Sequence, residues 1–141
     1  MQSSVAAIIY HNDGYLLQKR DKKKSIIFPN FYSLFGGIKK KNESSINAIR
    51  RELLEETNIK FKKFEKFLSY EITNKKLKYR RKRIYFICKL PRNFKKNFNI
   101  KEGQYGKFYK INKVNINNIV PWDFSALIYH QNILKNKFII K

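Results

Sequence analysis

The chain has 141 residues, 43% of them hydrophobic, and its 32 Lys and Arg stand against 10 Asp and Glu, a formal net charge of +22. That length and apolar content predict one domain over residues 1–141 with a real core. The single cysteine, Cys88, excludes an intrachain disulfide and points to a reducing compartment.

The charge has two readings. A strongly cationic chain suits nucleic acid or an anionic membrane surface. Yet the dominant residues are Lys, Asn and Ile, at 25, 15 and 19, whose codons are AT-rich. Arg, which nucleic-acid readers favour for bidentate contacts, numbers only seven. Composition is the favoured origin of the excess, with a dedicated nucleic-acid surface as the alternative. Either origin leaves a field that draws in polyphosphate substrates.

In chain order, residues 5–10 are an apolar run rich in β-formers, and six residues are too few for a signal-peptide core or a membrane span. A cytoplasmic protein with no membrane partner is expected. Asn12-Asp13-Gly14 makes a turn and residues 15–18 resume the strand, so a hairpin is predicted. Lys19, Arg20 and Asp21 close it and lead into a basic loop. Residues 28–32, Phe-Pro-Asn-Phe-Tyr, form a turn ahead of a short strand that runs into Gly36-Gly37, and the aromatics here suit core packing.

Four of the seven Glu then fall close together: Glu43, Glu52, Glu55 and Glu56. Ser44 or Ser45 can cap a helix, and residues 46–57 contain no Gly or Pro. Ile46, Ile49 and Leu53 share one face of that helix. Glu52, Glu55 and Glu56, at i, i+3 and i+4, share the adjacent face. They repel one another and lie towards the end of the helix whose dipole disfavours anions. A hard divalent cation with oxygen ligands corrects both faults. Gly36 and Gly37 bring bare backbone close to this acidic face, and Asn58 suits a left-handed helix cap.

Residues 61–72 and 77–90 follow as two long strands joined by a turn at 73–76. The second opens with five cations in six residues, 78–83, the pattern of a solvated strand or of a backbone-tracking nucleic-acid surface. Residues 91–99 are a basic loop, and Lys101-Glu102-Gly103-Gln104 precedes a short strand. Asp123 is expected to cap a final helix over residues 124–134, with Phe124, Leu127, Ile128 and Leu134 as its apolar face. Trp122 reads as a hydrophobic anchor for that helix, and His130 as a structural residue.

Counted from Gly37, the chain runs Gly, five residues, Glu43, seven residues, Arg51-Glu52-Leu53, one residue, Glu55-Glu56, one residue, Asn58-Ile59. This resembles the Nudix box of the Nudix hydrolases, matching eight of its nine defined positions across 23 residues, with Asn58 where the final Gly stands. Nudix chains often carry Trp-x-x-Pro before the two glycines, whereas Tyr32-Ser33-Leu34-Phe35 stands there in this chain.

The resemblance implies an α/β/α sandwich with a mixed central sheet, and hydrolysis of a diphosphate bond in a nucleoside diphosphate linked to another group. It implies Mg²⁺, or Mn²⁺, held by Glu52, Glu55, Glu56 and the backbone carbonyl of Gly37. Arg51 would orient Glu52, and Glu43 would tie the loop to the helix. The general base would be Glu52 or Glu102. Arg20 would face substrate phosphates beside Gly36 and Gly37. A small nucleotide, such as a nucleoside triphosphate or a nucleotide sugar, is the expected substrate. The competing readings are hydrolysis of an RNA 5′ end and a non-catalytic nucleotide-binding module.

Overall fold

Val5, Ala6, Ala7, Ile8 and Ile9 are all fully buried, which is why this stretch is an unbroken apolar run where a half-exposed strand would alternate. All but Ile9 belong to strand β1 (Gln2–Ile8). The structure is a computed structural model that describes residues 1–94 and 106–137. At Ile9 the chain leaves one sheet for another. Strand β2 (Tyr10–His11) pairs antiparallel with β3 (Gly14–Lys19). The turn between them is Asn12-Asp13, both left-handed, with φ of 49° and 62°, the conformation a two-residue hairpin of this twist requires. The predicted hairpin is therefore present, but β1 itself lies in the other sheet.

That first sheet runs β5 (Gly36–Ile38), β1, β7 (Tyr79–Cys88), β6 (Phe64–Asn74). It is mixed: β1 is parallel to β7, and the other two pairings are antiparallel. The second sheet has β3 between β2 and β4 (Tyr32–Ser33), with β8 (Gly106–Tyr109) also antiparallel to β3. Two helices cover the strands. Val5, Ala7 and Ile9 pack with Ala48, Ile49 and Leu53 of α1 (Ser45–Thr57). The intervening Ala6 and Ile8 pack with Ala126 and Leu127 of α2 (Pro121–Asn136). The period-two alternation of β1 thus feeds two cores, one under each helix. This is the expected α/β/α sandwich with its mixed sheet. Among the described residues no helix is long and apolar enough to cross a membrane.

Several expectations need correction. The long strands turn round at Lys75–Lys78, a few residues later than expected; Leu77 N–H donates to Asn74 Oδ1 at 3.0 Å there. Ile46 is 43% exposed, because the inward arc of α1 is centred on Ala48, Ile49, Leu53, Glu56 and Thr57. Helix α2 begins at Pro121, whose fixed φ suits the first helical position, so its N-cap is Val120. Asp123 then falls inside the first turn and points inward. The buried stripe of α2 is Asp123, Ala126, Leu127 and His130, with Phe124 partly buried, while Ile128 and Leu134 are exposed. Two of its four fully inward positions are polar, so an apolar periodicity could not find it.

The remaining expectations for α2 hold. Trp122 packs edge-on to Phe28 at 5.4 Å and nearly parallel to Tyr79 at 6.0 Å. His130 is buried and shares a 2.7 Å hydrogen bond with the hydroxyl of Tyr15. Burial pushes its pKa down to about 4, which keeps it neutral.

Candidate active site

Helix α1 starts where Ser44 Oγ accepts from Asn47 N–H at 3.1 Å, and it ends at Asn58, left-handed with φ of 61°. Asn58 meets the conformational demand that the final Gly of the box serves. Just upstream, Glu43 Oε1 accepts from the backbone N–H of Lys40 at 3.0 Å, closing the basic loop onto the helix.

Arg51 is the hub. Its guanidinium forks onto Glu43, with Nε to Oε2 at 2.8 Å and Nη2 to Oε1 at 3.0 Å. Nη1 reaches Glu52 Oε1 at 2.9 Å and Glu55 Oε2 at 3.5 Å, and Nη2 also donates to the carbonyl of Ile38 at 3.2 Å. One side chain therefore joins the loop, the glycine strand and two helix carboxylates. The hydrogen bonds from Arg51, then that from Lys40, hold the Glu43 carboxyl down at about 2, and Glu43 in turn raises Arg51.

The two glycines are dictated by close approach. A Cβ on Gly36, whose φ is 153°, would lie 1.9 Å from the carbonyl oxygen of Val5 in the neighbouring strand. A Cβ on Gly37 would lie 2.5 Å from both Cδ and Oε1 of Glu52. The Glu52 carboxylate occupies the space a side chain would fill.

The three helix carboxylates do not share one solvent face. The Glu55 side chain is 50% exposed, that of Glu52 12%, and Glu56 is 2% exposed on the inward arc. They form a gradient from solvent into the fold. Among the described residues no three Asp, Glu, His or Cys side chains converge into a ready-made metal cage. The donor set still fits a hard divalent ion. Its donors are all oxygens carried within about one helical turn, and one of them, the Glu52 carboxylate, sits beside the bare Cα of Gly37. An ion such as Mg²⁺ takes one or two carboxylates and completes its shell with water and substrate phosphate.

Of the other predicted site residues, Arg20 makes polar contacts outside this cluster. Arg20 Nε donates to the carbonyl of Ile27 at 3.0 Å. Burial and then the charge of Arg83 lower its pKa, while Asp123 opposes them, so its electrostatic neighbours lie by the start of α2. Glu102 lies outside the described residues.

The basic stretch 78–83 is not uniformly solvated as expected. Arg80 is exposed, but Arg81 Nη2 donates to Gln2 Oε1 at 3.0 Å and its guanidinium covers the Tyr79 ring at 4.8 Å. Arg83 forks onto Asp123, with Nε to Oδ1 at 2.8 Å and Nη2 to Oδ2 at 3.1 Å. Tyr85 Oη donates to Asp123 Oδ1 at 2.6 Å, and Leu34 N–H donates to Oδ2 at 3.0 Å. Sequence reasoning missed this buried group. The signal lay in the strand period, which puts Tyr79, Arg81, Arg83 and Tyr85 on one side of β7.

Fold and site together define a mixed α/β sandwich whose carboxylate-bearing helix packs under a glycine strand. The comparisons narrow that class. The family model for the Nudix domain matches residues 1–127, and the chain belongs to this family. A MutT Nudix hydrolase from Burkholderia pseudomallei superposes with a TM-score of 0.78 at 15% identity, over 90% of this chain and 95% of that one. A Nudix hydrolase from Nitrosomonas europaea gives 0.77 at 23% identity, over 93% and 89%. The dihydroneopterin triphosphate pyrophosphohydrolase of E. coli gives 0.69 at 18% identity, over 94% and 95%. At these identities the likeness carries the fold. No curated protein matches the sequence.

Proposed function

We propose that the protein is a metal-dependent hydrolase of diphosphate bonds in small nucleotides, with a nucleoside triphosphate or nucleotide sugar as substrate. The observation that carries this reading is the Glu52 carboxylate, packed against the bare Cα of Gly37 and hydrogen-bonded by Arg51, which is itself forked onto Glu43. Family membership supports it, since Nudix hydrolases act on pyrophosphate bonds and in general use divalent metals.

Glu52, Glu55 and Glu56, with the carbonyl of Gly37, would hold Mg²⁺ or Mn²⁺. The bound ion supplies neutralisation of phosphate oxygens and a water of lowered pKa. Arg51 aims the Glu52 carboxylate and offsets part of the mutual repulsion of the trio. Glu43 keeps Arg51 in place by its bidentate grip, and its depressed pKa keeps it charged at any physiological pH. Arg20 would meet phosphate oxygens, and Glu52 or Glu102 would take the proton from the attacking water. Of the five cations in residues 78–83, Arg83 is engaged inside the fold with Asp123, and Arg81 is occupied at the surface by Gln2 and the Tyr79 ring, which favours a small nucleotide over an RNA end.

The test is incubation of purified protein with a panel of nucleoside triphosphates, nucleotide sugars, ADP-ribose and dinucleotides in Mg²⁺, reading phosphate or pyrophosphate release. Hydrolysis that stops in excess chelator is expected. Undiminished hydrolysis in chelator, or none of any substrate with metal, removes the reading.

A further inference from the structure

The segment carrying Gly36 and Gly37 is held at both ends by charged hydrogen bonds, one from each side of the first sheet. Downstream, the carbonyl of Ile38 accepts from Arg51 on the α1 side. Upstream, Leu34 N–H donates to Asp123 of α2 at 3.0 Å, and Val120 N–H donates to the carbonyl of Tyr32 at 2.9 Å. Between them the strand lies on β1, through the Ala7 N–H to Phe35 carbonyl bond at 2.9 Å and the pairing of Ala6 with Gly36 and Ser4 with Ile38.

The upstream anchor is unusually complete. Asp123 is fully buried and accepts four hydrogen bonds, two on each oxygen: Arg83 Nε and Tyr85 Oη on Oδ1, Arg83 Nη2 and Leu34 N–H on Oδ2. Arg83 is fixed in turn by Nη1 to Ser4 Oγ at 3.3 Å, on the residue opposite Ile38. A buried ion pair generally stabilises a fold no better than apolar residues of the same volume, so stability alone does not account for this arrangement. What a saturated carboxylate does supply is direction. Leu34 N–H cannot shift without leaving buried charge poorly paired.

We propose that Asp123, locked by Arg83 and Tyr85, is a positioning residue for the hydrolysis: it sets where the Gly36-Gly37 strand lies against Glu52. This rests on the functional reading given above. The tolerance it must meet is tight, since Gly37 has no room for a Cβ beside the Glu52 carboxylate. A displacement of about 1 Å at a reacting centre can cost about a hundredfold in rate.

The test replaces the polar group by apolar residues of similar size in one variant, Asp123→Leu with Arg83→Met and Tyr85→Phe, so that no unpaired charge is left to unfold it. Two quantities are read at a temperature where thermal melts show the variant folded: kcat and KM on the best substrate, and amide hydrogen exchange along residues 34–38. We expect kcat to fall at least tenfold with KM within about threefold, and exchange at residues 34–38 to quicken at least tenfold while β3 keeps its protection. A folded variant with wild-type kcat, or with unchanged protection at residues 34–38, overturns the proposal. Should this variant fail to fold, Asp123→Asn carries the same two readouts, because its amide nitrogen must face at least one of the present donors. If the wild-type protein hydrolyses no substrate, the functional reading fails by itself, and the exchange measurement still decides whether Asp123 fixes the segment.

Discussion

Two arginine forks bracket the glycine strand, and they contrast in almost every respect. Arg51 binds Glu43, Glu52 and Glu55, all within eight residues of it in the chain, and its side chain remains 21% exposed. Arg83 binds Asp123, forty residues away and wholly buried. The first cluster keeps carboxylates within reach of water, where the proposed function would have them meet a cation and a phosphate. The second spends every acceptor site of its one carboxylate on protein donors. Charge near the surface is available for chemistry, whereas charge sealed inside holds position.

The contrast breaks most visibly at the buried end. Asp123→Ala leaves Arg83 with no counter-charge and should cost about 3–5 kcal/mol, seen as a large drop in the urea midpoint. Leu53→Ala, which empties a fully buried position on the inward face of α1, should cost about 2–5 kcal/mol. Its loss of activity should follow the fraction unfolded.

A pH titration separates the interior from the surface. His130 has its pKa pushed down to about 4 by burial, against an ordinary value of 6.5. The unfolded chain therefore takes up a proton that the folded one refuses between those values. Stability linked to His130 is full above about pH 6.5 and is lost as pH falls towards 4, on the order of 1–3 kcal/mol. Glu43 acts in a lower window: its contribution is full above its ordinary value of 4.5 and is lost as pH falls towards 2. Urea midpoints measured from pH 7 to pH 3 should show the first slope in the wild type, and His130→Gln should lose it while any slope below pH 4.5 remains. The smallest stability effect belongs to Arg51→Lys, which gives up the planar fork. It should cost under about 1 kcal/mol, yet lower turnover well beyond that, because the aim of Glu52 depends on it.

The same contrast explains what was legible in the sequence. Much of what short spacing encodes was readable: the Asn12-Asp13 hairpin, a serine cap before α1, the Asn58 terminus and the clustering of Glu43, Glu52 and Glu55; the roles of Arg51 and Glu43 came from the family resemblance. The two long strands were also readable, to within a few residues. The Arg83–Asp123 pair was not, because no local pattern links positions forty residues apart. Asp123 after Pro121-Trp122 imitates an N-cap, and Arg83 was hidden in a run of cations. Helical spacing puts Glu56 on one face with Glu52 and Glu55 but gives relative angle only, so its burial is not legible there. Where the helix axis rests on the sheet decides which carboxylate turns inward. The second sheet was likewise hidden, since β2 and β4 are only two residues long and the chain passes from β1 in the first sheet to β2 in the second without a break in its apolar run.

The most direct test of the α1 carboxylates is Glu52→Gln, followed by initial rates in Mg²⁺ alongside thermal melts without metal. The substitution keeps the size of the side chain beside Gly37 and a hydrogen-bond acceptor for Arg51, and removes one negative charge. The metal-free melting temperature should stay within a few degrees of wild type while the rate falls by about a hundredfold or more. A variant that keeps its rate while losing stability would make the acidic helix a structural element and rule out its carboxylates as the metal-holding group.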